Sequence, residues 1–109
     1  LFASDVIKEA YRIGVKLLVG TDLPDCQIHK EMSLLSSECG ISNLDLLRSA
    51  TLYGAEVLGL QSSLGCITKG AEADMLVLNS NPLDDIAALQ DISCTIANGE
   101  VVYVNNFAQ

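Results

Sequence analysis

The stretch that most constrains this chain is VKLLVGTD, residues 15 to 22, an apolar run entered from a glycine and left through Gly-Thr-Asp. Upstream, Ala3, Ile7, Ala10, Tyr11 and Gly14 fall at helical spacing, with Ser4 and Asp5 suited to cap the helix and Gly14 to end it through a left-handed turn. VKLLVG is too short and too uniformly apolar for a surface helix, so it reads as a buried strand. A strand that starts directly after a helix stop is the αβ half of an α/β unit. Asp22 then falls just past the C-terminal end of an expected parallel strand. Taken alone, Gly-Thr-Asp favours a plain turn residue; only the position at a strand exit raises the alternative, a carboxylate aimed at a ligand.

Beyond the loop LPDCQIH, residues Ile28, Met32, Leu35 and Cys39 are spaced along one helical face, and Gly40 supplies a C-terminal stop. A third helix is expected from Ser42 or Asn43 to Gly59. Asp45 follows Ser42 at capping-box spacing, and Leu47, Ala50, Gly54, Val57 and Leu58 form the expected buried stripe, in which Gly54 implies close packing. After Leu60 the texture changes to short β-like segments between turns, which sets a boundary near residue 60. ADMLVL and SCTIA read as strands and NPLDDIAAL as a Pro-initiated helical turn or two. Asn98-Gly99, between CTIA and EVVYV, is the strongest hairpin signal in the chain.

Half of the 109 residues are hydrophobic and only 18% are charged, which is apolar for a chain with so much surface per unit volume. That balance suggests missing neighbours, and Leu1 in place of a methionine reads as a cut from a larger polypeptide. Charged or small residues interrupt every apolar run before the ~18 residues of a membrane span, so no membrane partner is expected. A net charge of -8 repels phosphate backbones and anionic lipid, which argues against a nucleic-acid partner. Cys26, Cys39, Cys66 and Cys94 form no CxxC or CxxH pair, so buried free thiols and a reducing, cytoplasmic compartment are expected.

His29 is the only histidine. One imidazole cannot build a zinc site, so it reads as a locally bonded helix-entry residue, with a substrate-loop contact as the sharper reading. Asp74 opens a strand and suits structural pairing. Asp84 and Asp85 sit where carboxylates favour a helix N-terminus.

Taken in order, GTD, HKEMSLL, SATLYGAEVLGL, LGCITKGAEADMLVL, NPLDDIAAL and IANGEVV resemble the closing stretch of the metal-dependent amidohydrolase superfamily, in the branch of imidazolonepropionase and the prolidase-like dipeptidases. The likeness runs from about Gly14 onward and lies in the ordered series, since each motif alone is weak. It implies an α/β fold: the C-terminal fragment of a (β/α)8 TIM-like barrel followed by part of a small β-sandwich. Residues 1–60 would carry the last barrel strand and closing helices, and residues 61–109 the sandwich strands. Catalytic groups at strand C-termini are what a barrel predicts independently.

The resemblance further implies that Asp22 is the acidic residue after strand eight, a ligand of a divalent metal, zinc being the expected ion, and the group that takes a proton from the attacking water. The superfamily's His-x-His and its remaining ligands would precede Leu1, so the metal site is expected to be incomplete in this chain and the isolated fragment inert. The expected activity of the whole protein is hydrolysis of amide, cyclic amide or dipeptide-like C–N bonds in a small-molecule substrate. Bared apolar faces point to self-association or to packing against the missing part. The alternative from another class is a non-catalytic, acidic α/β interaction module in which GTD is only a turn.

Overall fold

The 28/32/35/39 spacing forms a helix with the expected buried face. In the computed structural model, which describes residues 3–22, 24–25 and 27–107, α2 (Ile28–Cys39) buries Met32, Leu35 and Cys39. Gly40 ends it at φ 68°, a left-handed conformation that costs glycine little. α1 (Ala3–Arg12) lies against α2. It begins earlier than its sequence suggests, so Ser4 and Asp5 lie inside its first turn, where the Asp5 carboxylate favours the helix dipole.

The expected third helix is two helices. α3 (Asn43–Ser49) starts from the Ser42 cap, whose Oγ accepts the Asp45 N–H at 3.1 Å. α4 (Leu52–Val57) follows a break at Ala50 and Thr51, where Thr51 takes φ −132°, ψ −87°. The Thr51 hydroxyl donates to the Leu47 carbonyl at 2.7 Å and helps close α3. The break resets the helical phase and corrects the expected stripe. Leu46, Ser49 and Ala55 are the buried residues, whereas Val57 and Leu58 stand 71% and 70% exposed.

Gly54 also departs from expectation, because a Cβ there would meet nothing within 4 Å. The close approach is at Gly65, whose Cβ would lie 2.6 Å from the Thr51 carbonyl oxygen and whose φ is +74°. Glycine is required there by both space and backbone conformation.

The second half folds as a three-stranded antiparallel sheet in the order β1 (Met75–Leu78), β2 (Ile92–Ala97), β3 (Glu100–Val104). Asn98 and Gly99 turn the β2–β3 hairpin with φ of 50° and 78°, the two positive values a tight I′-type turn demands. NPLDDIAAL becomes a turn followed by a 3-10 helix (Ile86–Gln90), capped by Asp85, whose carboxylate accepts the Ala87 N–H at 2.9 Å.

The core is formed by Met32, Leu35, Cys39, Ile41, Leu46 and Ile86, so it crosses the expected boundary: Ile86 belongs to the second half yet packs with α2 and α3. Met32 and Leu46 are each 1% exposed. Burial of side chains of that size contributes about 1.5–3 kcal/mol apiece. Leu17 and Val19 from the VKLLVG segment, with Ile7 and Tyr11 from α1, pack around this cluster.

VKLLVG itself pairs with no strand among the described residues. A parallel strand needs a neighbour beside it, and the sheet here is built wholly from residues after 74. What remains of the strand pattern is its alternation: Leu17 and Val19 are half-buried, whereas Lys16, Leu18 and Gly20 are exposed.

Candidate functional site

Asp22 sits at the end of this segment, which is held along its length by the helices. The Val15 N–H donates to the Ala10 carbonyl at 2.9 Å, bending the chain back from the end of α1. Lys16 Nζ reaches Glu56 at 2.5 Å and lies 5.1 Å from the centre of the Tyr53 ring, joining the segment to α4. The Glu56 carboxylate holds the Lys16 ammonium above its ordinary pKa. Ser49, 6% exposed, donates its hydroxyl to the Leu17 carbonyl at 2.7 Å. Leu17 and Val19 then turn into the core. Leu17 and Val19 thus face the helices while Leu18 and Gly20 are exposed; Val15 and Thr21 are exposed too, so the alternation is confined to residues 17–20 and stops short of Asp22. Its side chain is exposed.

His29 is the second residue of α2 and is half-buried. Its backbone carbonyl accepts the Ser33 hydroxyl at 2.9 Å, as a helix-entry residue does. Asp74 accepts the Asn98 N–H at 2.7 Å, and the Ala73 carbonyl accepts the Gly99 N–H at 3.0 Å, so the acid at the start of β1 clasps the hairpin turn. Asp85 is spent on the 3-10 helix cap. Cys39 is buried and free, Cys66 and Cys94 are half-buried and free, and Cys26 lies outside the described residues.

The most developed polar network is elsewhere. Tyr11 donates to Asp45 Oδ2 at 2.6 Å, Ser42 Oγ donates to the same oxygen at 3.0 Å, and Arg48 approaches Asp45 Oδ1 at 3.3 Å. The Tyr11 hydroxyl, then Ser42 and Arg48, hold the Asp45 carboxyl below its ordinary range. Spacing identified the Ser42–Asp45 pair, but Tyr11 read as an apolar position on α1, and no local signal ties it to a cap 31 residues away. The same holds for Ser49, whose partner lies 32 residues back.

A cleft of about 320 Å³ runs between α1, the VKLLVG segment and α3, lined by Tyr11, Lys16, Asp45, Ser49 and Tyr53 over an apolar floor. Tyr11 and Asp45 bond to each other, Ser49 bonds to backbone and Lys16 pairs with Glu56, which suits a structural cleft. A larger groove of about 760 Å³ lies between the α3–α4 turn and the sheet. Asp22 and His29 line neither. Among the described residues no three His, Cys, Asp or Glu side chains converge as a metal centre, so Asp22 offers one carboxylate and these residues alone do not complete a cation's ligand shell.

The profile of the Amidohydrolase family matches residues 3–102 of the chain. This chain belongs to the amidohydrolase family. Within the family it falls in the prolidase and imidazolonepropionase-like branch. The imidazolonepropionase of Thermoplasma acidophilum is 28% identical over 98 residues, which are 83% of this chain and 24% of that protein. A solved candidate prolidase from Bifidobacterium longum superposes with a TM-score of 0.85 at 34% identity, over 96% of this chain and 28% of the other. A Xaa-Pro dipeptidase solved with methionine in its active site gives 0.84 at 30% identity, over 94% and 25%. This amidohydrolase chain therefore spans about a quarter of the length of those relatives, and its α/β fold is one it shares with solved members of the family.

Proposed function

We propose that these residues are the C-terminal portion of a metal-dependent amidohydrolase that hydrolyses amide, cyclic amide or dipeptide-like C–N bonds in small molecules, with Asp22 as the acid at its reaction centre. One observation carries the reading. In a chain matched to this family over residues 3–102, exposed Asp22 follows a segment whose exposed face, Leu18 and Gly20, lies opposite the half-buried Leu17 and Val19. In a closed barrel that face is the interior, and a carboxylate just beyond the C-terminal end of a strand stands at the mouth.

On this reading residues 1–60 supply the last barrel strand and closing helices, and residues 61–109 supply sandwich strands. Asp22 would give one ligand to a divalent ion, zinc by expectation, with the others coming from residues outside these 109. An ion so held lowers the pKa of bound water. The chemistry this chain contributes is that of the carboxylate, which accepts the proton of the attacking water and returns it to the departing amine. His29, at the entry to α2, is proposed to contact substrate. The exposed Leu18, Val57 and Leu58 support packing against the rest of the polypeptide or self-association. Free cysteines support a reducing, cytoplasmic setting.

The test is an assay of the full-length polypeptide that carries these residues against Xaa-Pro dipeptides, N-acyl amino acids and cyclic amides, before and after chelation. Hydrolysis lost on chelation and regained with zinc supports the reading. A preparation that hydrolyses none of them, or whose activity ignores the chelator, contradicts it.

A further inference from the structure

We propose that Asn98-Gly99 is a site of spontaneous deamidation and that Asp74 is the residue that restrains it. The inference is independent of the hydrolytic reading above, and it stands on contacts made wholly within residues 73–100. Of the asparagines in the chain, Asn98 alone is followed by glycine, so no Cβ shields the backbone nitrogen next to its side-chain amide.

The reaction needs only the chain and water. Hydroxide takes the Gly99 amide proton, and the nitrogen attacks the Asn98 side-chain carbonyl carbon. The new C–N bond closes a succinimide ring, and the side-chain amide takes a proton from water and leaves as ammonia. Water then adds to one ring carbonyl and breaks its bond to the ring nitrogen. Opening at the side-chain carbonyl gives aspartate; opening at the main-chain carbonyl gives isoaspartate, whose backbone runs through Cβ. The sum is an amide plus water to an acid plus ammonia, with nothing oxidised or reduced.

The fold holds the nucleophile away from that attack. The Gly99 N–H donates to the Ala73 carbonyl at 3.0 Å, so the proton that must leave is engaged. The Asn98 N–H donates to Asp74 Oδ1 at 2.7 Å. Together these bonds pin the turn, at φ 50° and 78°, against the two residues that precede β1. Ring closure requires rotation about the Asn98 Cα–C bond until the Gly99 nitrogen meets the side chain. A two-residue turn between the paired Ala97 and Glu100 does not make that rotation while it stays closed. Deamidation therefore proceeds from an opened turn, at the intrinsic rate multiplied by the fraction open. Asp74 is the side-chain tether that sets this fraction. The product closes less well, because isoaspartate lengthens the main chain of a tight turn and either acid places a second negative charge close to the Asp74 carboxylate.

The experiment incubates the full-length polypeptide that carries these residues in mildly alkaline buffer and follows Asn98 by peptide mapping, with isoaspartate resolved from aspartate by chromatography and mass spectrometry. In the urea-unfolded chain Asn98 is expected to convert ahead of Asn79 and Asn105; conversion no faster than theirs overturns the site. The folded parent is expected to convert at least about tenfold more slowly than the unfolded chain, and equal rates overturn the restraint. Folded Asp74→Ala is expected to raise the rate at Asn98 about tenfold, the scale for losing a hydrogen bond to a charged acceptor, and Asp74→Asn, which keeps a neutral acceptor of the same size, about threefold. An unchanged rate overturns the role of Asp74. Should Asp74→Ala fail to fold, Asp74→Asn carries the same comparison. Low urea separates the clasp from a general loss of stability: opening confined to the turn leaves the rate flat below the unfolding transition, whereas a rate that climbs with urea as global unfolding does overturns the clasp.

Discussion

Tyr11 and Asp45, 34 residues apart, are joined by a 2.6 Å hydrogen bond that fastens α1 to the cap of α3. The Ser42 N–H donates to the same phenolic oxygen at 3.4 Å, so the tyrosine hydroxyl occupies the place where a capping box would bring the carboxylate back to the cap nitrogen. Tyr11→Phe removes the bond with little change of shape. Loss of about 1–2 kcal/mol is expected, because the acceptor is charged. Urea unfolding of Tyr11→Phe, Asp45→Asn and the double variant checks it: the two single losses should not add.

The same network predicts a pH dependence. The folded Asp45 carboxyl lies below its unfolded value, chiefly through Tyr11 and then Ser42. Its contribution is therefore complete above the ordinary carboxylate pKa, near about 4, and is lost as pH falls through the lower folded value. Stability measured as pH falls through that range should drop less steeply in Asp45→Asn than in the parent chain, and the two should fall in parallel if the network contributes nothing.

Gly65 and Gly54 should respond to alanine in opposite directions. At Gly65 the backbone is left-handed and a Cβ would overlap the Thr51 carbonyl, so Gly65→Ala should cost about 2–4 kcal/mol. Gly54 is inside α4 with open space beside it, so Gly54→Ala should gain about 0.5–1 kcal/mol. Thermal melts of the two variants provide the check.

Much of this fold was legible in local spacing. The apolar face of α2, the Ser42 cap and the Asn98-Gly99 hairpin each rest on residues a few positions apart, and physics at that range is written directly in the chain. What spacing missed depends on distant partners. The break at Thr51 goes with the approach of Gly65, the VKLLVG strand lacks a neighbour to pair with, and Tyr11 and Ser49 find their partners more than 30 residues away. At the candidate site, the apolar run before Asp22 was readable, and its alternation shows at Leu17 to Gly20. Groups that would surround Asp22 were not, because among the described residues no three His, Cys, Asp or Glu side chains converge.

Isolated from any longer polypeptide, the 109 residues are expected to be inert toward dipeptides and cyclic amides and to self-associate. Val57, Leu58 and the apolar residues of β3 are left bare, and β3 presents an unpaired edge. Sedimentation velocity should show species larger than a monomer; a monodisperse monomer that binds stoichiometric zinc and turns over substrate contradicts the incomplete-site account.

The central claim is that the Asp22 carboxylate acts in C–N hydrolysis. Its most direct test is kcat/KM for an Xaa-Pro dipeptide, measured on the full-length polypeptide with Asp22 and with Asp22→Asn at matched folding. The account predicts a fall of about 10²- to 10⁴-fold, the range for loss of a general base. Activity within about threefold of the parent would contradict it and return Gly-Thr-Asp to the status of a turn.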